Sequence, residues 1–442
     1  MRTLLAGLET EEAHEIICQA YTFGYPLVLM DAARRLMTDV RRLANDDESH
    51  EPFAPDNRVS SRTPQLNPDV LSGVGWLELA REPQLFRIPN YDGGFYSIQV
   101  IDAWTNVLAS IGSRASSGRH HDLIVVGPQS SSPRAHRGQL VLSSSTSVVS
   151  VLGRVELASG RDDLFVLDLQ RSLPIRVWTH DDRPFHNIYR SEHADAGQSP
   201  QVHVARMAGA EFFARLNALM VDNPPTVADA RAVSLFSGIG IGAGLPFEVK
   251  ADAGASRRVD ASARTALARI VVEANRPSGY VVNGWWRPLR RAHEADYMSR
   301  AVMALADIGA ASAEEMVALR ADVDSAGMPL WGHHRYALRF PSRQLPPVRA
   351  FWSVAMYNAR DAVVDNPIDR HVISSRRQLA VSRDGSITIY IQRTSPGSAH
   401  DANWLPVPQD HFHVILRLYW PKRDVLTGSW TPPSIERLGS GG

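Results

Sequence analysis

Two blocks of short, alternating apolar segments bracket a longer stretch with helical spacing, and that order restricts the chain to a mixed α and β fold. The first block runs from residue 66 to about 180 and contains "GGFYSIQVIDAW", "HDLIVVGP", "GQLVLSSSTSVVSVLGRVEL" and "DLFVLDLQ". Each segment is rich in β-branched or aromatic residues and is closed by Gly, Pro or Ser, as in an antiparallel sandwich or barrel. The second block, from 334 to the end, contains "RYALRF", "AFWSVAMYN", "AVSRDGSITIYIQ" and "FHVILRLYW". Between them, residues 205–222, 258–275 and 295–320 have helical spacing, with Phe212, Leu216, Leu219 and Met220 on one face of the first. The expected fold is α+β: an N-terminal antiparallel β-barrel-like domain, a helical middle segment and a C-terminal jelly-roll-like β-sandwich. The divisions fall at 1–65 for N-terminal helices and a loop, 66–200 for the barrel-like domain, 201–330 for the helical connecting region and 331–442 for the sandwich. Near the start, Thr10 before Glu11 and Glu12 reads as a helix cap, Pro26 as lying near that helix's end, and "DAARRLMTDVRRL" at 31–43 as a second helix.

Composition removes several classes of function. Lys+Arg and Asp+Glu both total 47 in 442 residues, so no net charge draws the chain to nucleic acid or an anionic membrane. The only lysines are Lys250 and Lys422, and neither lies in a glycine-rich loop or an apolar stretch. That excludes a Schiff-base or P-loop lysine. Cys18 is the only cysteine, which excludes an intrachain disulfide and a thiolate metal cluster; with Ile16, Ile17 and Ala20 around it, it reads as a buried structural thiol. No secretory leader and no run of about 20 apolar residues is visible, so no membrane contact and a cytoplasmic location are expected, with a homo-oligomer possible.

Motifs of known mechanics are few. Gly238, Gly240 and Ala243 have the spacing of a dinucleotide fingerprint, but no apolar strand precedes them and Pro246 follows, so a glycine-rich connection is the better reading. His411 and His413 alternate along a strand and point to one face, as two metal ligands would, yet no third ligand is visible. No G-x-S-x-G, H-E-x-x-H or S-x-x-K occurs. What remains is a set of polar residues inside aromatic strands: Asp102, Trp104 and Asn106 at alternate positions, Asp365, Asn366, Arg370 and His371 around a proline turn, Asn403 and Trp404 between prolines, and Arg417 with Tyr419 on one strand face. Each segment alone is satisfied by turn closure or a paired buried group. Together they have the composition of an aromatic-walled small-molecule pocket.

"AYTFGYPLVLMD", "NPDVLSGVGWLEL", "REPQLFRIPN", "YSIQVIDAWTNVLASIGSR" and "LIVVGP" resemble the bacterial domain of unknown function 1254. "NGWW", "DYMSRAVMAL", "RYALRFPSRQLPPVRAFWSVAMYN", "NPIDRHVI", "DGSITIYIQ", "NWLPVP" and "LRLYWP" resemble its partner, domain of unknown function 1214, in the same order over nearly the whole chain. The resemblance implies the barrel-like, helical and jelly-roll-like order and supplies no reaction. Many members look exported, a location that does not carry over to a chain without a leader. Where the family usually reads Asn-x-Asp-Thr-x-Tyr-Ser, this chain keeps Asn67 and Asp69 but has Val70 and Ser72, and His371 stands where the family has Tyr after Arg.

The expectation is an enzyme acting on a small organic molecule by acid–base chemistry without a cofactor, of hydrolase or lyase and dehydratase type. Asp69 is the expected base and His371 or Tyr419 the acid, with Arg370 or Arg417 holding an anionic group. Asn67, Asp102, Trp104, Asn106, Asn403 and Trp404 are expected to line the substrate site. The alternatives are a non-catalytic binding or assembly protein, and a metalloenzyme built on His411 and His413.

Overall fold

A single helix, α1 (Glu11–Met37), runs straight through Pro26, the proline near which it was expected to end. The structure, a computed structural model, describes residues 11–37, 67–88, 94–115, 121–131, 133, 136, 138–156, 175–177, 199–247, 253–276, 279–288, 296–306, 311–364 and 366–440. The proline removes one helix hydrogen bond and costs about 3 kcal/mol. Every residue from Ala20 to Arg34 is buried, however, and Phe23, Tyr25, Leu27, Val28 and Leu29 are each 1% exposed or less. At about 1.5–3 kcal/mol for each such side chain, burial outweighs the proline. The expected second helix at 31–43 is therefore partly a continuation of the first; Thr10 and residues 38–43 lie outside the described residues.

The N-terminal strands are β1 (Val70–Glu78), β2 (Gln84–Ile88), β3 (Tyr96–Asp102), β4 (Val107–Gly112), β5 (His121–Val126), β6 (Gln139–Ser143), β7 (Val148–Glu156) and β8 (Ile175–Val177). They form two four-stranded sheets, ordered β1-β7-β3-β4 and β6-β5-β2-β8. Leu77, Ile98, Val100, Val149 and Val151 of the first pack with Leu123 and Val125 of the second. Neither sheet closes among the described residues, so the barrel-like domain is an open pair of sheets. "DLFVLDLQ", read as a strand, lies outside the described residues.

Helices α2 (Pro200–Arg206), α3 (Gly209–Asp222), α4 (Ala230–Ser237), α5 (Ala253–Ala274) and α6 (Tyr297–Ala306) follow. Phe212 and Leu216 of α3, Val259 and Ile270 of α5 and Ala301 of α6 share one core with α1 and with Trp104. Gly24 permits the close approach of α1 to α3, since a Cβ there would lie 2.4 Å from Leu216 Cδ2. The glycine-rich connection is confirmed as a loop: Asn217 accepts from Gly242 N and donates to the carbonyls of Gly240 and Leu245.

The C-terminal strands are β9 (Gly279–Val282), β10 (Trp285–Pro288), β11 (Met316–Ala321), β12 (His334–Phe340), β13 (Trp352–Asn358), β14 (Val372–Ser374), β15 (Ile387–Ile391), β16 (Trp404–Leu405), β17 (Phe412–Tyr419) and, after the short α7 (Arg423–Thr427), β18 (Ile435–Ser440). A six-stranded sheet, β14-β13-β17-β11-β10-β9, packs on a four-stranded one, β16-β15-β12-β18. "AEEMVALRAD" was expected to be helical, but β11 is an inner strand between β10 and β17. Its alternate residues Val317, Leu319 and Ala321 enter the sandwich core, and that period-two burial overrides the helix propensity of Ala, Glu and Met. The connecting region 201–330 is thus not wholly helical, because β9, β10 and β11 belong to the C-terminal sheet. No helix among the described residues is long and apolar enough to cross a membrane.

Candidate functional site

The site grows from the alternation of β17 and β13. Phe412, Val414, Leu416 and Leu418 face the sandwich core, so His413, Arg417 and Tyr419 face the other way. On β13, Trp352, Val354 and Met356 take the core face, which leaves Ser353 and Tyr357 beside them. Register completes the arrangement, with Ser353 opposite Arg417 and Tyr357 opposite His413. A row of polar groups therefore lies on the outer face of the larger sheet, and all five are buried, at 6% exposure or less.

The start of β1 meets this row. Asn67 closes a turn by accepting from Asp69 N at 3.1 Å, which aims the Asp69 carboxylate at the C-terminal sheet. Ser353 Oγ donates to Asp69 Oδ2 at 2.5 Å and Tyr419 OH donates to the same oxygen at 3.2 Å. Asn67 Nδ2 donates to Tyr419 OH at 2.9 Å. Arg417 Nη2 donates to Tyr357 OH at 2.8 Å, while Nη1 lies 3.9 Å from Asp69 Oδ2, is buried and has no hydrogen-bond partner. Burial raises the Asp69 pKa above the ordinary carboxylate value, against the pull of Arg417, Ser353 and Tyr419. Burial and the neighbouring Asp69 raise the Tyr419 pKa well above that of a free phenol.

Around this centre runs a seam between the two β domains. Phe95 and Val70 pack on Phe351 and Tyr419, with the Phe351 and Tyr419 rings stacked at 4.2 Å. Arg376 pairs with Glu156 at 2.9 Å, and Arg114 with the fully buried Glu315 at 2.6 Å. Trp420, next after Tyr419, has φ +48°, a left-handed conformation that costs a bulky residue about 1–3 kcal/mol. Its backbone is held by Trp420 N donating to Glu315 O and Arg349 N donating to Trp420 O, each at 2.8 Å.

Of the expected site residues, Asn67, Asp69, Arg417 and Tyr419 are brought together and the others are placed elsewhere. Asp102, Trp104 and Asn106 do not share a strand face, because the chain reverses between β3 and β4 with Thr105 at φ +68°. Asp102 accepts from Trp104 N, Asn106 N and Asn106 Nδ2, and Trp104 Nε1 donates to Asn223 O inside the helical core. Arg370 donates to the carbonyls of Asp401 and Trp404. Asn403 is bonded to both backbone groups of Ala380 and to Thr388 O, and Trp404 Nε1 donates to Gln392 O. These bonds fasten turns and loops, and that of Trp104 ties the hairpin to the helical core. His371 is paired with Asp369 at 3.0 Å and Asn366 at 3.3 Å, in a turn at the mouth of β14. The sequence reading missed Ser353 and Tyr357, although "FWSVAMYN" carries both at i and i+4 on the face opposite Trp352, Val354 and Met356.

Among the described residues no metal-ligand cluster gathers around His411 and His413. His411 precedes β17 and lies against Trp331, ring centroids 3.6 Å apart, while His413 stacks on Tyr357 and sits 3.2 Å from Asp361. Among the described residues no three His, Cys, Asp or Glu side chains converge. Burial lowers the His413 pKa to about 4, with Arg320 adding to the effect, so the ring is neutral near pH 7.

The family model described as Protein of unknown function (DUF1254) matches residues 49–176, and that described as Protein of unknown function (DUF1214) matches residues 315–423. No curated protein matches the chain. Among solved structures, the VPA0106 protein from Vibrio parahaemolyticus is similar, with TM-score 0.70 at 21% identity over 96% of this chain and 99% of that one. An uncharacterised protein from Burkholderia cenocepacia matches at TM-score 0.43 and 13% identity over 98% of each chain. The Vibrio likeness shows a shared fold.

Proposed function

The chain belongs to the two-domain family that joins domain of unknown function 1254 to domain of unknown function 1214, and on that premise we propose that it is an enzyme converting a small anionic organic molecule by acid–base chemistry, as a hydrolase or a lyase. The observation that carries this reading is the meeting of Asp69, Tyr419 and Arg417 across the seam. A carboxylate whose pKa is raised by burial is suited to accept a proton near neutral pH. Tyr419 OH, oriented by Asn67, is the proton donor, and Arg417, held by Tyr357, takes the substrate's anionic group. Asp69 would take a proton from a carbon beside a carboxylate, or from an attacking water, and Tyr419 would protonate the leaving oxygen. Asp69 and Tyr419 are only 4% and 1% exposed, so substrate enters when the seam opens.

That same burial supports a second reading, in which Asp69, Ser353, Tyr419 and Arg417 clasp the two domains of a binding protein together. A panel of esters, lactones and 2-hydroxy acids, tested with wild type and Asp69→Asn, separates the two. The enzyme reading expects turnover to fall about 10²-fold or more with little change in melting. Undiminished turnover in Asp69→Asn overturns the assignment of the base. No turnover by wild type, with a lowered melting temperature in Asp69→Asn, favours the clasp.

A further inference from the structure

We propose that Arg417, Ser353 and Tyr419 form a carboxylate receptor on the outer face of the larger C-terminal sheet, that Asp69 fills this receptor from within the chain, and that the carboxylate of a small ligand takes its place. The inference rests on reading Arg417 as the group that holds the substrate's anion, and is independent of whether Asp69 is the base.

Three donors from two neighbouring strands point at one place, and the acceptor there comes from a different domain. Ser353 and Tyr419 give their hydroxyl protons to Asp69 Oδ2, at 2.5 Å and 3.2 Å. The guanidinium faces the same oxygen but stops 3.9 Å short of it. Arginine and carboxylate ordinarily meet at about 2.7–2.9 Å, often through two parallel bonds. Here Nη2 is committed to Tyr357 OH, and Nη1 is left buried without a hydrogen bond. A buried guanidinium nitrogen without an acceptor is costly, so a carboxylate that completes it gains binding energy.

The fit falls short because Asp69 is tethered. Its side chain is short, and its own N–H is fixed to Asn67 Oδ1 by the turn. A free carboxylate carries no such constraint and can approach both Nη1 and the two hydroxyls. Asp69 nevertheless competes strongly, since an occupant on the same chain acts at high effective concentration. Free acetate should therefore bind wild type poorly, and removing the Asp69 carboxylate should uncover the receptor.

Asp69→Gly removes a carboxymethyl group, which acetate matches in charge and volume. The melting temperature of this variant is followed against sodium acetate, with sodium chloride at the same ionic strength as control. The receptor predicts a saturable rise with acetate and none with chloride. Wild type should barely respond. The response should vanish when Arg417→Met is added and weaken about tenfold when Ser353→Ala is added. If Asp69→Gly does not fold in chloride, refolding in acetate should recover it, and Asp69→Ala with formate gives a second, smaller pairing. Folded variants indifferent to both anions, an equal response with Arg417→Met, or refolding unaided by either anion overturns the receptor. A saturable acetate response alongside full turnover by Asp69→Asn keeps the receptor and removes the base.

Discussion

Ser353 Oγ donates to Asp69 Oδ2 at 2.5 Å, so a residue near the start of a C-terminal strand completes a carboxylate from the turn that opens the N-terminal sheet. Neither β domain holds the site alone. Asp69 without the C-terminal sheet is a carboxylate on a surface turn; Arg417 without Asp69 is a guanidinium buried beside two hydroxyls.

Removing one side of that meeting should therefore cost more than an ordinary polar change. Asp69→Ala leaves Arg417 buried without a counter-charge, an event worth about 3–5 kcal/mol. Urea unfolding at pH 7 measures it; Asp69→Asn loses the same counter-charge but keeps an oxygen that accepts from Ser353, so it should cost less by about one hydrogen bond, ~1 kcal/mol. Equal losses in the two variants would mean that the acceptor oxygen facing Ser353 contributes nothing beyond the charge that both variants lose.

Protonation of Asp69 has a defined sign. Its pKa in the fold is raised above its value in the unfolded chain. In the window between those two values the folded state binds more protons, so stability falls as pH rises. The stability difference between wild type and Asp69→Asn, followed from pH 4 upward, should decline through that window. A difference that grew with pH there would contradict the raised pKa.

His413 should act in the opposite direction. Its pKa is lowered from 6.5 to about 4, chiefly by burial. Its contribution is complete above about pH 6.5 and is lost as pH falls toward 4, where the buried ring must charge; the full loss is ~3 kcal/mol. His413→Phe should flatten that acid limb of the stability profile without moving the alkaline side. An acid limb identical to wild type would assign the loss to other groups.

At the edge of the seam, Glu315 is fully buried and its partner Arg114 is about one-third exposed. Arg114→Met should destabilise by more than the roughly 0–1 kcal/mol of a surface pair, because it strands a buried charge. Adding Glu315→Gln should recover much of the loss. A double-mutant cycle with no coupling between the two positions would exclude the pair as a joint between the domains.

The sequence makes four of the six residues of this site readable and leaves Ser353 and Tyr357 hidden. Asn67 and Asp69 stand out as polar residues before an apolar strand, and Arg417 and Tyr419 as polar residues alternating within one. Asp102 and Asn106 have the same alternation but close a hairpin, because a period of two has meaning only while the strand continues past Thr105. Ser353 is small and sits among Phe351, Trp352 and Val354, so nothing local distinguishes it; its partner lies in another domain. The α+β order was legible from the lengths of the apolar runs. The strand β11 was not, since Ala, Glu and Met favour helix and only its place between β10 and β17 makes it extended. Pro26 misled for a related reason: its local cost is real, and the burial that exceeds it comes from helices beginning near residue 200.

The hydrogen bonds to Asp69 span 284 and 350 positions of chain, to Ser353 and Tyr419. During synthesis the N-terminal strands and the helices that cover α1 emerge long before β17, and β18 ends only at Ser440. Throughout that interval Asp69 is hydrated and carries its charge. It sheds water, and its pKa climbs, only when the last-made strands arrive. Assembly of this protein therefore has a late step in which a charged group must leave water, and the rate at which the domains close should itself depend on pH across the range where that group titrates.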